Sequence, residues 1–147
     1  MKRNSWLLIF VFALLASSAF GQDKCSVRTT HARYGTTCQG FVYAGPDFAG
    51  QPLAPFTLLG TCTGDANGYF TCQGTQSFGG FVVPALDEGQ GTVNPDCTGQ
   101  ITYNKGTPSE LDINFLVLND GKELRGMLQN TGSAVQCDLV RMDKDVE

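Results

Sequence analysis

Histidine is nearly absent from this 147-residue chain, occurring once, at His31. A serine or cysteine hydrolase needs a base beside its nucleophile. His31 stands between Thr30 and Arg33, ahead of the first expected strand, and reads as a solvated side chain. Cys25 or Cys38 could act as nucleophiles only as reduced thiols. No Gly-x-Ser-x-Gly elbow and no phosphate-cradling glycine loop occurs. No Cys-x-x-Cys pair occurs either, so the ligand spacing of zinc sites is missing. Asp65, Asn67 and Asp120 could offer oxygens to calcium. They lack the EF-hand pattern, and turn chemistry already explains them. These absences leave no catalytic residue, metal or cofactor to assign.

Basic charge is also scarce. The chain has 10 Lys and Arg against 14 Asp and Glu. Lys2 and Arg3 belong to the leader described below, so the remainder carries 8 − 14 = −6. That surface argues against nucleic acid as a partner. Two carboxylate pairs could in principle serve a glycosidase. Asp87-Glu88 follows a Pro84-Ala85-Leu86 segment that reads as a loop. Asp112 and Glu123 belong to neighbouring strands, where Glu123 can stand near Asp112 or near Arg125. Both pairs read as surface charge, and no carboxylate or histidine can be placed inside the fold.

Only one long apolar run exists. Trp6 to Leu15 follows the basic Met1-Lys2-Arg3, and small residues from Ala16 to Gly21 follow it. This is a signal-peptide pattern, too short for a membrane span, with cleavage expected after Gly21 or after Ala19. The expected mature chain, 22–147, is one small exported domain with no membrane span, in the periplasm or outside the cell.

Cysteine is plentiful by contrast: Cys25, Cys38, Cys62, Cys72, Cys97 and Cys137 all follow the leader. An even count in an oxidising compartment points to disulfides. Glycine is abundant too, with 18 residues, and no stretch after Gly21 holds helical spacing for three turns. Period-two alternation recurs instead. Strands are expected at 33–43, 53–63, 69–78, 88–94, 99–104, 110–118, 122–129 and 134–142. Phe81-Val82-Val83-Pro84 is a separate apolar piece after a Gly79-Gly80 break. Gly45-Pro46-Asp47 opens a loop, and 143–147 is a charged tail. Asp65-Ala66-Asn67-Gly68 and Asn119-Asp120-Gly121 signal tight turns.

Strands in sequence with short connections make an antiparallel meander, and closure into a barrel hides its edges. The expected fold is therefore all-β, an eight-stranded up-and-down barrel. A two-sheet sandwich is the alternative. A three-residue loop at Ala66-Asn67-Gly68 sets Cys62 opposite Cys72. A two-residue Asn67-Gly68 loop would oppose Cys72 to Thr63. In a closed barrel the first strand neighbours the last, which pairs Cys38 with Cys137 and leaves Cys25 for Cys97. An exchange of Cys25 and Cys38 stays open.

The successive segments Tyr34-Gly35, Pro55-Phe56, Asp65 to Gly68, Gly91 to Gly99 (GTVNPDCTG) and Phe115 to Arg125 (FLVLNDGKELR) resemble a family of small exported bacterial proteins. Its members carry an N-terminal cysteine, a GTYTVNPDCTG turn and a DFVIVDGGKEIR hairpin, and no activity is assigned to them. The resemblance covers nearly the whole mature chain. It implies a fold similar to the calycin barrels, among them lipocalins and allene oxide cyclase, and a Cys25–Cys97 bond. Cys38, Cys62, Cys72 and Cys137 depart from the family pattern. So does Gly91-Thr92, which leads straight into Val93 and implies a shorter or bulged strand before the turn.

The functional expectation is a non-enzymatic barrel binding a small apolar molecule. Phe41, Tyr43, Phe56, Phe70, Phe78, Phe81, Tyr103 and Phe115 could line or fill its interior. A structural or protein-interaction module at the cell surface is the alternative. A cyclase- or isomerase-type enzyme ranks last.

Overall fold

In the computed structural model, residues 25–43 and 53–142 are described. The expected leader, the expected loop opening at Gly45-Pro46-Asp47 and the charged tail lie outside them. Eight antiparallel strands run in chain order and close into a barrel. They are β1 (Ala32–Tyr43), β2 (Leu53–Gly64), β3 (Tyr69–Phe78), β4 (Phe81–Val93), β5 (Thr98–Tyr103), β6 (Leu111–Leu118), β7 (Glu123–Leu128) and β8 (Ser133–Arg141). Short 3-10 turns cover Val27–Thr30 and Asn119–Gly121. Among the described residues no helix is long and apolar enough to cross a membrane.

The two-residue period separates the faces. Tyr34, Cys38, Cys62, Phe70, Cys72, Ile101, Tyr103, Phe115, Val117, Leu124, Val135, Cys137 and Leu139 form one buried core. The intervening positions, such as Thr63, Gln73, Gln100, Asn114 and Gln136, face water. Each strand's alternation therefore sets its register, because a slip of one residue would turn the whole apolar set outward.

The expected boundaries hold within one residue for every strand except β4. The strand expected at 88–94 begins at Phe81 and runs for 13 residues. It is neither short nor confined to the far side of Pro84. Gly79 and Gly80 make a tight turn with φ of 54° and 96°, and Phe78 pairs directly with Phe81. Pro84 is tolerated for a physical reason. Between Phe81 and Glu88, β4 pairs only with β3, and its pairing with β5 begins at Gly89. A proline that cannot donate to a ladder is accepted on such an edge. The outward Val82, Pro84 and Leu86 broke the polar half of the alternation and hid the strand.

The barrel has two unlike ends. At one, the turn Val27–Thr30 lies across the bottom as a plug. Thr30 is fully buried there beside Tyr34 and Phe70. The Tyr34 hydroxyl donates to the Gly121 carbonyl at 3.0 Å, joining β1 to the Asn119–Gly121 turn. Gly121 has φ of 77°, and a β-carbon there would run into the Thr29 carbonyl. Glycine is therefore required where plug and turn touch. At the other end, β1 to β4 are taller than β5 to β7 and form a lip that ends in the Phe78–Phe81 hairpin.

Three disulfides hold this arrangement, and among the described residues no cysteine is free. Cys38 faces Cys137 across the closing seam between β1 and β8. Cys62 faces Cys72 across β2 and β3, and Asp65 pairs with Tyr69, so the loop formed is the three-residue Ala66-Asn67-Gly68. Cys25 joins Cys97 over a separation of 72 residues and fastens the plug to the β4–β5 turn. The exchange of Cys25 and Cys38 is thereby excluded, because Cys38 sits mid-strand inside the barrel.

Candidate functional site

The interior holds a cavity of about 120 Å³. Its wall is largely apolar: Val42, Phe56, Leu58, Ile113, Leu128, Val135 and Leu139. The two interior disulfides also line it. Tyr34, Phe70 and Leu124 are fully buried below and close the bottom. At the top, Phe56 and Phe78 pack with ring centroids 5.0 Å apart. Phe78 lines the cavity and is also partly solvent-exposed, so the cavity reaches water at the lip.

Local sequence explains each placement. Cys38, Cys62 and Cys72 belong to the inward set of β1, β2 and β3, and directly opposed inward cysteines lie close enough to bond. Their Cα separations are 4.1 Å for Cys38–Cys137 and 4.0 Å for Cys62–Cys72. The bonds therefore cross neighbouring strands along the wall and leave the lumen open.

Four polar side chains interrupt the lining: Thr36, Gln76, Asp87 and Tyr103. Tyr103 is 5% exposed, and its hydroxyl lies 3.2 Å from the Cys72 sulfur. Burial, and secondarily the Asp87 charge, pushes its phenol above the usual range, so it stays protonated. Asp87 is half-buried, and its Oδ1 accepts from Asn104 Nδ2 at 2.7 Å. This corrects the sequence reading, which placed no carboxylate inside the fold and put Asp87 after a loop. The signal was available in the alternation Ala85, Asp87, Gly89, Gly91, whose small residues carry little apolar weight.

The structure separates the other candidates. Asp87 and Glu88 are neighbours on one strand, so they point to opposite faces. Glu88 accepts from the Tyr69 hydroxyl at 2.7 Å on the outside. Asp112 takes the Thr102 hydroxyl at 2.7 Å, while Glu123 pairs with Arg125 at 2.7 Å near the other end of the same hairpin. Neither pair forms a two-carboxylate site. His31 is exposed at the end of the plug, whose last turn it caps.

Asp65 Oδ1 accepts the Asn67 and Tyr69 amides, both at 2.8 Å. The Tyr69 and Asn67 amides hold that carboxyl below its ordinary range. Asp96 likewise accepts the Thr98 hydroxyl at 2.7 Å and the Thr98 amide at 3.1 Å, which lower its pKa. Asp120 is itself a left-handed turn residue, with φ of 56°. Among the described residues no three His, Cys, Asp or Glu side chains converge as metal ligands.

Seven of the eight aromatics divide into three roles. Phe56, Phe78 and Tyr103 line the cavity, whereas Phe70 and Phe115 are core. Phe41 and Phe81 face solvent. Tyr43 ends β1, and its side chain lies outside the described residues. A broader depression of about 790 Å³ lies on the outer wall, lined by Gln100, Asn114, Arg125, Met127 and Gln136 among others. It is shallow and open to water, so it offers less desolvation than the interior.

Comparison with protein-family models, with curated proteins and with solved structures finds no match to this chain.

Proposed function

We propose that this protein is an exported, non-enzymatic barrel that holds a small apolar molecule in its interior. The observation that carries this reading is the apolar cavity, sealed at the plug and reaching solvent at the lip. Its size limits the occupant. Drug-sized ligands occupy pockets of about 300–1,000 Å³. A dry apolar cavity of about 150 Å³ accepts a benzene-sized molecule. About 120 Å³ therefore suits one small ring or one short alkyl chain. Three disulfides and the apolar leader support export. The likeness of Val93 to Gly99 and Phe115 to Arg125 to a family of exported bacterial proteins supports the same placement.

Native mass spectrometry of protein purified without denaturation tests this. The expected result is a single sub-kilodalton adduct, lost on organic extraction and restored by a small apolar compound. A bare mass, together with no uptake of such compounds, would sink the reading.

A second reading, a protein-interaction module, is favoured by one observation. On the outer face of β2 and β4, Leu59 and Leu86 are each 68% exposed, with Val82 and Pro84 beside them. Sedimentation velocity with Leu59→Ser and Leu86→Ser variants tests it. A concentration-dependent complex that these substitutions abolish would support it.

A further inference from the structure

The polar atoms on the cavity wall constrain what can bind there, given that the cavity is a ligand site as read above. Thr36 is 4% exposed, and its hydroxyl has no hydrogen-bond partner among the described residues. A buried hydroxyl without a partner is rare in folded proteins. It points to an atom that the cavity's occupant supplies. The Tyr103 hydroxyl has only sulfur beside it, a weak partner. Asp87 has a hydrogen bond from Asn104 but no counter-ion. The ion pairs among the described residues join Arg125 to Glu123 and to Asp138. No Lys, Arg or His lines the cavity. A carboxylate facing an apolar space without a cation is poorly compensated.

We propose that the cavity selects a slim primary amine, whose ammonium group pairs with Asp87 at the barrel waist. The hydrocarbon then runs past Leu58 and Ile113 toward the Phe56–Phe78 pair at the lip. Tyr103 and Thr36 are the other hydroxyls that line the same cavity. A carboxylate head is rejected, because it would meet Asp87 with like charge and find no cation. The net negative charge of the chain adds to this preference by attracting cations.

Isothermal titration calorimetry with pentylamine, pentanol and pentanoate, short enough for the cavity, tests the proposal. Pentylamine should bind with one-to-one stoichiometry and at least about tenfold more tightly than pentanoate. Asp87→Asn should remove at least about tenfold of the pentylamine affinity and leave pentanol within about threefold. Glu88→Gln, one residue along but on the outer face, should change neither. Equal binding of amine and acid by the wild-type protein would overturn the head-group assignment, as would a pentylamine affinity indifferent to Asp87→Asn. In both cases pentanol binding would leave the apolar-ligand reading intact. Failure of all three compounds to bind would remove that reading as well. The wild-type comparison of head groups decides the matter even if Asp87→Asn folds poorly.

Discussion

The two ends of this barrel are built on opposite principles. The closed end brings distant segments together through specific bonds. The plug is fastened by Cys25–Cys97, Tyr34 donates to Gly121, and Gly121 fits against Thr29. The open end is a tall lip of β1 to β4, with apolar side chains such as Phe81 left 80% exposed. A small barrel needs one sealed end to exclude water from its core. Its other end can then stay open at little cost in stability. Stability should therefore respond steeply to changes at the plug and weakly to changes at the lip, whereas uptake of the proposed ligand should do the reverse.

The largest effect is expected from removing the plug's tether. Replacing Cys25 and Cys97 together by alanine opens a loop of 72 residues in sequence separation. By the chain-entropy argument this costs about 4 kcal/mol. Urea unfolding of the double variant should show that loss, with hydrogen exchange fastest at Val27–Thr30. Unchanged stability would mean that the plug is not part of the cooperative unit.

Gly121→Ala should come next, at about 2–3 kcal/mol. It forces a β-carbon into a left-handed backbone and against the Thr29 carbonyl. A stability within experimental error of wild type would show that plug and turn separate easily.

Tyr34→Phe should cost about 1–2 kcal/mol by leaving the buried Gly121 carbonyl without its donor. The same side chain predicts a pH dependence. Burial raises the Tyr34 phenol to about 12, opposed in part by Arg141. The folded protein therefore keeps a proton that the unfolded chain releases near its ordinary pKa of about 10. This contribution is complete below about pH 10 and is lost as pH rises toward 12. Tyr103 acts in the same direction. Stability should fall on the alkaline side, and less steeply in Tyr34→Phe. A wild-type protein equally stable at pH 9 and pH 12 would contradict this.

The smallest effect is expected at the lip. Phe81→Ser removes a solvated side chain and should change stability by no more than about 0.5 kcal/mol. A loss of several kcal/mol would mean that the lip is structural, and the contrast between the ends would fail.

Much of this architecture is legible in the chain. In β6, Leu111, Ile113, Phe115 and Val117 share one face, with Asp112 and Asn114 opposite, and mark the inward side. Asn67-Gly68 marks its turn, and the equal spacing of Cys62 and Cys72 about that turn marks a bond. The turn Asn94-Pro95-Asp96 is marked by its own chemistry. The candidate site was less legible. β4 carries Val82, Pro84 and Leu86 on its solvent side, so its period is masked. Without the strand, Asp87 cannot be assigned to the interior.

The sequence by itself determined the all-β class, the order and bounds of most strands, and the tight turns. Those follow from local rules: alternation, turn propensity and the opposition of residues across a short loop. Tertiary structure alone decided three further features. Closure was chosen over a two-sheet sandwich, and with it Cys38–Cys137 over the exchange of Cys25 and Cys38. It laid Val27–Thr30 across one end, and it turned Asp87, Thr36 and Tyr103 toward one apolar space. Each depends on contacts between residues far apart in the chain, and such contacts exist only once the barrel has closed.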